Sequence, residues 1–340
     1  MTASGKSAGA LAQNHDKALV TIAIGDRYLA DLKAHALPSW QAYADRHGYD
    51  ILVLTELIDK SVDPKLKSIH WQKLLIGLLP EVKRYDRVVW IDGDIIINAE
   101  RAPCVVKAAD PARIGAIDEA RHMESDDGRL SLYNRFTQLN YLMMKTHQPQ
   151  SPEAVLARAD LASYYRLMGL DPTGAAHLVN TGLLVYDPKK WAGWFTEVYA
   201  KYPKDFADFE NTPLAYELSR QGVLDCLDPR FNQVWARAVA EHYPFLFARV
   251  GGPDYADLAR DCVQAVFDRS WFLHFAGGSK NPVSKDAFRL VDWRAPDAAE
   301  RLFPDLTGKE GAAISYLDLK DVVADMQGHA APLQGKMFLY

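Results

Sequence analysis

The feature that most constrains the fold lies near the N-terminus, where two short apolar runs flank a helical pattern. The first run, "ALVTIAIGD" (18–26), is typical of a buried strand in a parallel sheet. Apolar residues then recur at three- and four-residue spacing over 29–44, which predicts a helix that ends near Gly48. The second run, "YDILVLTE" (49–56), is the next predicted strand. A strand, helix and strand in so few residues predict a right-handed parallel crossover.

The same alternation continues along the chain and predicts an α/β fold. Its sheet should be mostly parallel and doubly wound, with helices on both faces and ligands at the carboxyl ends of the strands where strand order reverses. The further strands are predicted within 85–98, 112–118, 176–187, 222–228 and 270–278, and the further helices within 66–84, 130–147, 152–168, after Pro188 and within 208–222.

Composition excludes several classes of protein. With 340 residues, 49% of them apolar and 24% charged, the chain has the balance of a globular protein with a sizeable core. A net charge of −5 argues against general attraction to nucleic acid or an anionic membrane. No apolar run approaches the ~18 residues of a membrane span, so any contact with a membrane would be peripheral.

The N-terminal segment and the cysteines predict a location. Residues 1–17 are small and polar, lack the apolar core of a secretory signal, and are interpreted as a disordered tail. The three cysteines follow no zinc or disulfide spacing, which predicts buried or inert thiols in a reducing, cytoplasmic compartment. Beyond about residue 286 the pattern weakens, and 286–340 is interpreted as a C-terminal extension packed on or over the sheet of the main domain.

Two carboxylates interrupt the most apolar of the predicted strands. In "YDRVVWIDGDIIIN" (85–98), Asp92 and Asp94 flank Gly93 within a run of apolar residues. Residues two apart on an extended chain point the same way, so both carboxylates should project together. They would repel each other unless a cation such as Mn²⁺ or Mg²⁺ neutralised them, which would leave positions for phosphate oxygens. The alternative is a solvated Asp-Gly turn between short strands.

A second polar group follows the last predicted strand, in "WFLHFAGGSK" (271–280). His274 can supply a third metal ligand through a neutral imidazole. Gly277 and Gly278 let backbone N–H groups approach an anion, and Lys280 supplies a positive charge for phosphate. A core histidine beside a loop is the alternative. Together with the carboxylate pair on another strand, the group predicts a site for a metal and a diphosphate.

Three motifs follow one another in the order "WIDGD", "LVNTGLLVYDPKKW" and "HFAGGSK". In this order they resemble the motifs of retaining GT-A glycosyltransferases, above all families 8 and 34. His274, Gly277 and Lys280 match the family 8 pattern H-x-x-G-x-x-K-P-W, although Asn-Pro replaces its Pro-Trp. "LPSWQAYADRHGYDILVLTE" and the region around "WIDGD" look more like family 34. The resemblance implies a GT-A (nucleotide-diphospho-sugar transferase) fold over 18–285.

The resemblance also implies a donor site. In such enzymes the D-x-D carboxylates and the late histidine bind manganese, which bridges the diphosphate of a nucleotide sugar, and the late lysine touches that diphosphate. The metal ligands would then be Asp92, Asp94 and His274, with Gly93, Gly277 and Lys280 beside them. The first strand and its loop usually hold base and ribose, which carries over to Thr21, Ala23, Gly25, Asp26 and Tyr28.

Further roles are implied for residues on later elements. A basic residue on the helix before the D-x-D motif often contacts donor sugar or phosphate, which points to Lys73, with a solvated helix face as the alternative. Asp118, at a strand end, would accept hydrogen bonds from sugar hydroxyls, unless it is a helix cap or loop residue. The N-x-G segment that lines donor sugar and acceptor would be Asn180, Thr181 and Gly182, and Glu210 and Asn211 would replace the usual Asp-Gln pair.

The implied reaction is transfer of a hexose, glucose or galactose, from a UDP-sugar to a glycan or other hydroxyl acceptor with retention. Lys280 and the metal would stabilise the departing diphosphate. Either Glu210 or Asn211 flanks the anomeric carbon, or the leaving phosphate deprotonates the acceptor on the same face. Two alternatives stay open: a sugar-nucleotide nucleotidyltransferase, although "GDRYLADLK" (25–33) lacks a Gly-rich phosphate loop, and a non-catalytic carbohydrate- or nucleotide-binding protein on the same scaffold.

Overall fold

The structure is a computed structural model that describes residues 15–123, 131–143, 160–248, 253–277 and 287–295. All of these except Ala295 belong to one compact unit, Met1–Arg294. Gly278, Lys280, most of the predicted tail and most of 286–340 lie outside the described residues, so the boundaries of the predicted domains stay predictions. The first half of the helix predicted over 152–168 lies outside them as well.

A six-stranded sheet forms the centre of the molecule. Its strands lie in the order β2-β1-β3-β6-β5-β7. Only β6 runs against the other five, because it is antiparallel to both β3 and β5 while the remaining pairs are parallel. The strands are β1 (Lys17–Ile22), β2 (Asp50–Leu54), β3 (Arg87–Ile91), β5 (Ile114–Asp118), β6 (Val179–Tyr186) and β7 (Leu224–Cys226). The predicted mostly parallel, doubly wound sheet is confirmed, and its strand order reverses between β1 and β3.

Apolar side chains cover both faces of this sheet. Along β3, Val89 and Ile91 belong to one core cluster and Val88 and Trp90 to another, as the two-residue period of a strand requires. The helix that carries Trp40 packs in the first cluster, while helices on the opposite face complete the second. A sheet buried on both faces explains why its strands read as nearly continuous apolar runs.

The helices connect the strands in the predicted places, with local differences. The first predicted helix consists of α1 (Asp26–Asp31), a π-helical turn (Leu32–Ala36) and α2 (Leu37–His47), and it ends at Gly48 with a φ of 70°. The helix predicted over 66–84 is instead a 3₁₀ helix (Ile69–Leu78) followed by α3 (Pro80–Lys83). Pro80 explains the break, because the residue before a proline is disfavoured in the helical region.

The remaining helices flank the later strands. They are α4 (Val105–Ala108), a 3₁₀ turn (Ala120–Met123), α5 (Leu132–Met143), α6 (Leu161–Leu167), α7 (Pro188–Lys201), α8 (Asn211–Gln221), 3₁₀ turns at Pro229–Asn232 and Pro244–Ala248, α9 (Trp235–His242) and α10 (Pro253–Arg269). No described helix combines the length and apolar character that crossing a bilayer requires.

A second, three-stranded sheet takes over where β3 ends. It consists of β4 (Ile95–Ile97), β8 (Gln233–Val234) and β9 (Phe272–His274), in the order β4-β9-β8. Ile95 pairs with His274 across the antiparallel β4–β9 ladder. The chain therefore turns at Asp92–Asp94 from the large sheet into the small one, and the pairing brings the late histidine beside that turn.

Candidate active site

The turn between β3 and β4 carries the two carboxylates of the D-x-D motif. His274 Nε2 lies 3.2 Å from Asp94 Oδ1 and 3.9 Å from Asp92 Oδ2. We predicted that Asp92 and Asp94 lie on one extended strand. The structure has a tight turn there instead, in which Ile95 N donates to Asp92 O. The alternative, a solvated Asp-Gly turn, therefore describes the backbone here. It does not account for the side chains, because both carboxylates lie beside one buried imidazole. We call Asp92, Asp94 and His274 the D-x-D site.

A neutral amide fixes the orientation of the histidine. His274 Nδ1 lies 2.8 Å from Asn232 Oδ1, so Nδ1–H donates to the amide oxygen and Nε2 faces the carboxylates. Asn232 Nδ2 donates in turn to Asn180 Oδ1 at 2.9 Å, which also accepts from the backbone N–H of Gly182 at 3.0 Å. This chain connects the N-x-G segment of β6 to the late histidine.

Gly182 leaves the space that the imidazole fills. A Cβ added at this position would lie 2.4 Å from His274 Cε1 and 2.7 Å from Nδ1. Real Cβ atoms essentially never approach other atoms so closely, so any side chain at 182 would displace His274. The glycine of the N-x-G motif is therefore required by the position of the His274 ring.

Lys73 lies beneath the D-x-D site. Its Nζ is 2.7 Å from Glu210 Oε1 and 3.2 Å from Asp92 Oδ1, and its side chain is only 2% exposed. The alternative for Lys73, a solvated helix face, is therefore wrong. Burial alone would lower the pKa of Lys73, but the ion pairs with Asp92 and Glu210 outweigh it and raise the pKa.

One oxygen of Asp92 is fully engaged by this layer. Trp90 Nε1 donates to Asp92 Oδ1 at 2.8 Å, alongside Lys73. Burial would raise the pKa of Asp92, but the charges of Lys73 and His274 hold it below its usual value. The carboxylate is thus held ionised, with Oδ2 facing His274 and open to a cation.

Glu210 and Asn211 both bind Thr181. Thr181 Oγ1 donates to Glu210 Oε1 at 2.6 Å, and Thr181 N donates to Asn211 Oδ1 at 2.8 Å. Glu210 is 1% exposed, so its carboxylate lies behind the site and acts on it through Lys73. The expectation that Glu210 flanks a reacting carbon does not fit this burial, whereas Asn211 is half-buried.

The loop before Glu210 contains a strained residue. Phe209 has a φ of 63°, in the left-handed region that a bulky side chain rarely adopts. Its ring stacks on His70, with centroids 4.3 Å apart, which holds the conformation in place. Burial raises the pKa of the adjacent Asp208. Such strain is found at functional sites, and Phe209 directly precedes Glu210, which pairs with Lys73.

The predicted nucleotide-binding residues follow β1 towards the surface. Thr21 and Ala23 are buried, whereas Gly25, Asp26 and Tyr28 are exposed. Thr21 Oγ1 is buried without a hydrogen-bond partner among the described residues, and a Cβ on Gly93 would lie 3.9 Å from it. An unpaired buried hydroxyl beside the D-x-D turn is a group that a ligand or water would satisfy.

Asp118 is placed differently from the D-x-D residues. Its Oδ1 accepts from Ala120 N at 2.9 Å and from Leu178 N at 3.1 Å, and its Oδ2 lies 2.6 Å from His177 Nδ1. The helix-cap or loop alternative therefore describes this residue well. Cys226 Sγ lies 4.0 Å from the same His177 nitrogen. All three cysteines are free; Cys104 and Cys262 are buried and Cys226 is exposed, so of the expected buried or inert thiols two are buried.

The late motif is described only in part. Gly277 is exposed with a φ of 80°, a left-handed conformation that favours glycine. Lys280 lies outside the described residues, and its predicted contact with a diphosphate stays a prediction. Asn232, which orients His274, was not predicted, because it lies in a short 3₁₀ turn that no motif or periodicity marks.

The D-x-D site has the donor set that a hard divalent cation uses. It offers one oxygen from each of two carboxylates and one imidazole nitrogen, within 4.8 Å of one another. The side chains of Asp92 and Asp94 are 24% and 34% exposed, so one side of the group is open to solvent. Carboxylate-rich sites with open positions suit Mn²⁺ and Mg²⁺, and the residues present fit such an ion.

The solved structures that resemble this chain are distant from it. A glycosyltransferase involved in the glycosylation of the major capsid of PBCV-1 covers 81% of this chain and 100% of its own, with 12% identity and a TM-score of 0.43. The galactosyltransferase LgtC, solved with donor and acceptor sugar analogs, covers 83% and 98%, with 14% identity and a TM-score of 0.41. The apo bifunctional glycosyltransferase WbbM covers 87% and 53%, with 15% identity and a TM-score of 0.43.

All three are glycosyltransferases, which is the class that the motifs of this chain resemble. No protein-family model and no curated protein matches the chain. With TM-scores below 0.5, these likenesses do not decide a function, which follows instead from the site.

Proposed function

We propose that this protein is a metal-dependent glycosyltransferase that moves a hexose from a UDP-sugar to a glycan or other hydroxyl acceptor, with retention. The main observation in support is that Asp92, Asp94 and His274 converge at the carboxyl edge of the sheet. This edge lies beside the reversal of strand order between β1 and β3, where doubly wound sheets bind nucleotides. Glucose and galactose are the hexoses that we expect.

The metal would be held by Asp92 Oδ2, an oxygen of Asp94 and His274 Nε2. A bound Mn²⁺ or Mg²⁺ supplies Lewis-acid stabilisation of the departing diphosphate. Lys73 keeps Asp92 ionised and occupies its other oxygen, which leaves a single oxygen for the cation. Lys73 is too deeply buried to touch the donor, so we assign it to positioning instead of the predicted contact with sugar or phosphate.

The donor would lie over the open side of the D-x-D site. Base and ribose would follow the end of β1 towards Tyr28, whose side chain is 63% exposed. The sugar would face the half-buried side chains of Asn180 and Asn211, whose amide oxygens are already held by Gly182 and Thr181. Lys280 would contact the diphosphate.

Retention follows most simply from reaction on one face of the sugar. Glu210 is a poor candidate nucleophile, because it is buried and paired with Lys73. We therefore favour cleavage of the anomeric C–O bond to phosphate, with the acceptor oxygen attaching from the same side. The proton of the acceptor hydroxyl passes to the departing phosphate oxygen, and no carboxylate base is needed.

Calorimetric titration with UDP, with and without Mn²⁺, tests the proposal. We expect UDP to bind only with Mn²⁺, and Asp94→Asn to weaken Mn²⁺ binding more than about 100-fold, since even second-layer changes cost about 10–100-fold. Asp45→Asn is the matched control, because Asp45 is an exposed carboxylate that accepts a hydrogen bond from Gln41. UDP binding that ignored both Mn²⁺ and Asp94→Asn would contradict the proposal.

Turnover separates the alternatives. Release of UDP from UDP-glucose or UDP-galactose without acceptor is expected of the transferase. Release of pyrophosphate from UTP and a sugar phosphate would instead indicate a nucleotidyltransferase. Metal-dependent UDP binding with neither reaction would indicate a binding protein on this scaffold.

A further inference from the structure

A second cluster of metal-ligating side chains lies along the same edge of the large sheet. Asp118 ends β5, His177 lies two residues before β6 begins, and Cys226 ends β7. These strands are neighbours in the order β6-β5-β7. Because β6 runs against the other two, its beginning lies where β5 and β7 end, so adjacent strands deliver one side chain each to one place.

The three ligand atoms are spaced for a single small ion. His177 Nδ1 lies 2.6 Å from Asp118 Oδ2 and 4.0 Å from Cys226 Sγ, and all three atoms lie within 4.8 Å of one another. Bonds of ~2.1 Å to N or O and ~2.3 Å to S in a tetrahedral site place ligand atoms about 3.3–3.7 Å apart. To bind an ion, the Asp118–His177 separation must therefore lengthen and the His177–Cys226 separation must shorten. Side-chain rotations can supply both changes.

The backbone around this cluster is fixed by contacts that leave the ligand atoms available. Asp118 Oδ1 accepts from two backbone N–H groups, which turns Oδ2 towards His177. His177 N donates to Ser219 Oγ at 3.0 Å, and His177 O accepts from Tyr165 OH at 2.5 Å. Leu227 N donates to Ala116 O at 2.9 Å, directly after Cys226. These contacts fix the backbone from which the three side chains extend, and the two N–H donors to Asp118 also orient its carboxylate.

We propose that Asp118, His177 and Cys226, the thiol site, bind a second divalent metal of the zinc class. A thiolate and an imidazole favour zinc-like ions over Mn²⁺ and Mg²⁺, which prefer the oxygen-rich D-x-D site. The side chains of Asp118 and His177 are 24% and 30% exposed and Cys226 is exposed, so water has access to a fourth position. This inference does not depend on the proposed glycosyltransferase activity.

A bound ion would join the ends of three neighbouring strands. It would hold the beginning of β6 three residues before Asn180, which belongs to the chain of hydrogen bonds that orients His274. Metal that binds only the folded state stabilises that state by mass action. Binding would release the His177 proton and the Cys226 thiol proton to solvent, because both ligands coordinate in their deprotonated forms.

Titration of the reduced, full-length protein with Co²⁺, in saturating Mg²⁺, tests the site. Thiolate coordination gives a charge-transfer absorption band that imidazole and carboxylate ligands do not. We expect this band to saturate at one equivalent, and Cys226→Ser and His177→Gln to abolish it or to weaken Co²⁺ binding more than about 100-fold. Cys104→Ser and Cys262→Ser are the controls, because both thiols are buried away from the cluster, and they should keep the band.

Thermal unfolding with Zn²⁺ provides a second readout. The wild-type melting temperature should rise with Zn²⁺ and that of Cys226→Ser should not, while Cys226→Ser keeps the wild-type circular dichroism because the side chain is exposed. Absence of the thiolate band in the wild-type protein would overturn the proposal and leave a hydrogen-bonded Asp–His pair. A band that survived Cys226→Ser would overturn it too, since another cysteine would then be the ligand.

Discussion

The two histidines at the carboxyl edge of the sheet are held in opposite ways. His274 is 3% exposed and donates through Nδ1 to the neutral amide of Asn232, so Nε2 is left for the carboxylates. His177 is 30% exposed and turns Nδ1 itself towards both Asp118 and Cys226. At His274 the neutral amide orients the ring and leaves Nε2 to the carboxylates, whereas at His177 the carboxylate faces the same nitrogen that would ligate a metal and favours the imidazolium.

If both proposed sites bind metal, the D-x-D site could accept its ion as it stands, whereas the thiol site would have to rearrange. In the D-x-D site Lys73 and Asn232 occupy the competing atoms, so Asp92 Oδ2 and His274 Nε2 are open to a cation. In the thiol site the proton of His177 occupies the place that a metal would take. Buried partners of the ligands, more than the ligands themselves, therefore decide how ready a site is.

The largest effect should come from filling the space beneath His274. Gly182→Ala places a Cβ against the imidazole and should displace His274, lowering Mn²⁺ affinity more than about 100-fold and the free energy of unfolding by about 1–3 kcal/mol. Calorimetry with Mn²⁺ and urea unfolding measure the two effects. Co²⁺ binding at the thiol site should not change.

Gly193→Ala is the matched control for that substitution. Gly193 lies within α7, and a Cβ there would meet nothing within 4 Å. Alanine should therefore keep Mn²⁺ affinity and raise the free energy of unfolding by about 0.5–1 kcal/mol. Unchanged Mn²⁺ affinity in Gly182→Ala would show that His274 is not a ligand.

A smaller effect is expected from the amide that orients His274. Asn232→Leu removes the acceptor for Nδ1 and should lower Mn²⁺ affinity about 10–100-fold, as loss of a second-layer contact does. Asn232→Asp keeps an acceptor oxygen at this position, so its loss should be smaller. Mn²⁺ titrations of both variants measure the contrast, and equal losses would mean that the tautomer of His274 is not set here.

The fold could be predicted because its strands are buried on both faces. β1, β3 and β6 each contain a short apolar run of strand length, which favours a buried central strand. The helix over 66–84 was wrong in type, since apolar periodicity does not distinguish a 3₁₀ helix that ends at a proline from an α-helix. The burial of Lys73 could not be predicted either, because charged residues are rarely buried without a partner and its partners Asp92 and Glu210 lie on other elements.

Residues in the D-x-D site could be predicted only where a motif marks them. Asp92, Asp94 and His274 stand next to apolar strands, at positions where a charge is unexpected. Asn232 reaches His274 because β8 pairs with β9, with Val234 opposite His274, and no spacing in the sequence encodes that register. His177 and Cys226 are 49 residues apart in the sequence. They meet because β6 and β7 both pair with β5, which the sequence does not encode either.

The smallest effect should reveal the proton that the thiol site holds without metal. The hydrogen bond to Asp118, with a further contribution from Cys226 and against a smaller effect of burial, raises the pKa of His177 to about 10. The unfolded value is about 6.5. A folded pKa above the unfolded one contributes stability that is fully present below pH ~6.5 and is lost as pH rises through about 10.

His177→Gln should therefore lower the free energy of unfolding by about 1.5–3 kcal/mol at pH 6, the range for a hydrogen bond to a charged group, and by less at pH 9.5. Urea unfolding with a chelator present measures both values. His242→Gln is the control, since His242 pairs only loosely with Glu241 at 3.5 Å on the surface and should change stability by less than about 0.5 kcal/mol.

With Zn²⁺ in place of the chelator the trend should reverse, because metal competes with the proton more successfully as pH rises. A loss that did not depend on pH in the chelated protein would mean that His177 is neutral there and that no proton competes with a metal at Nδ1.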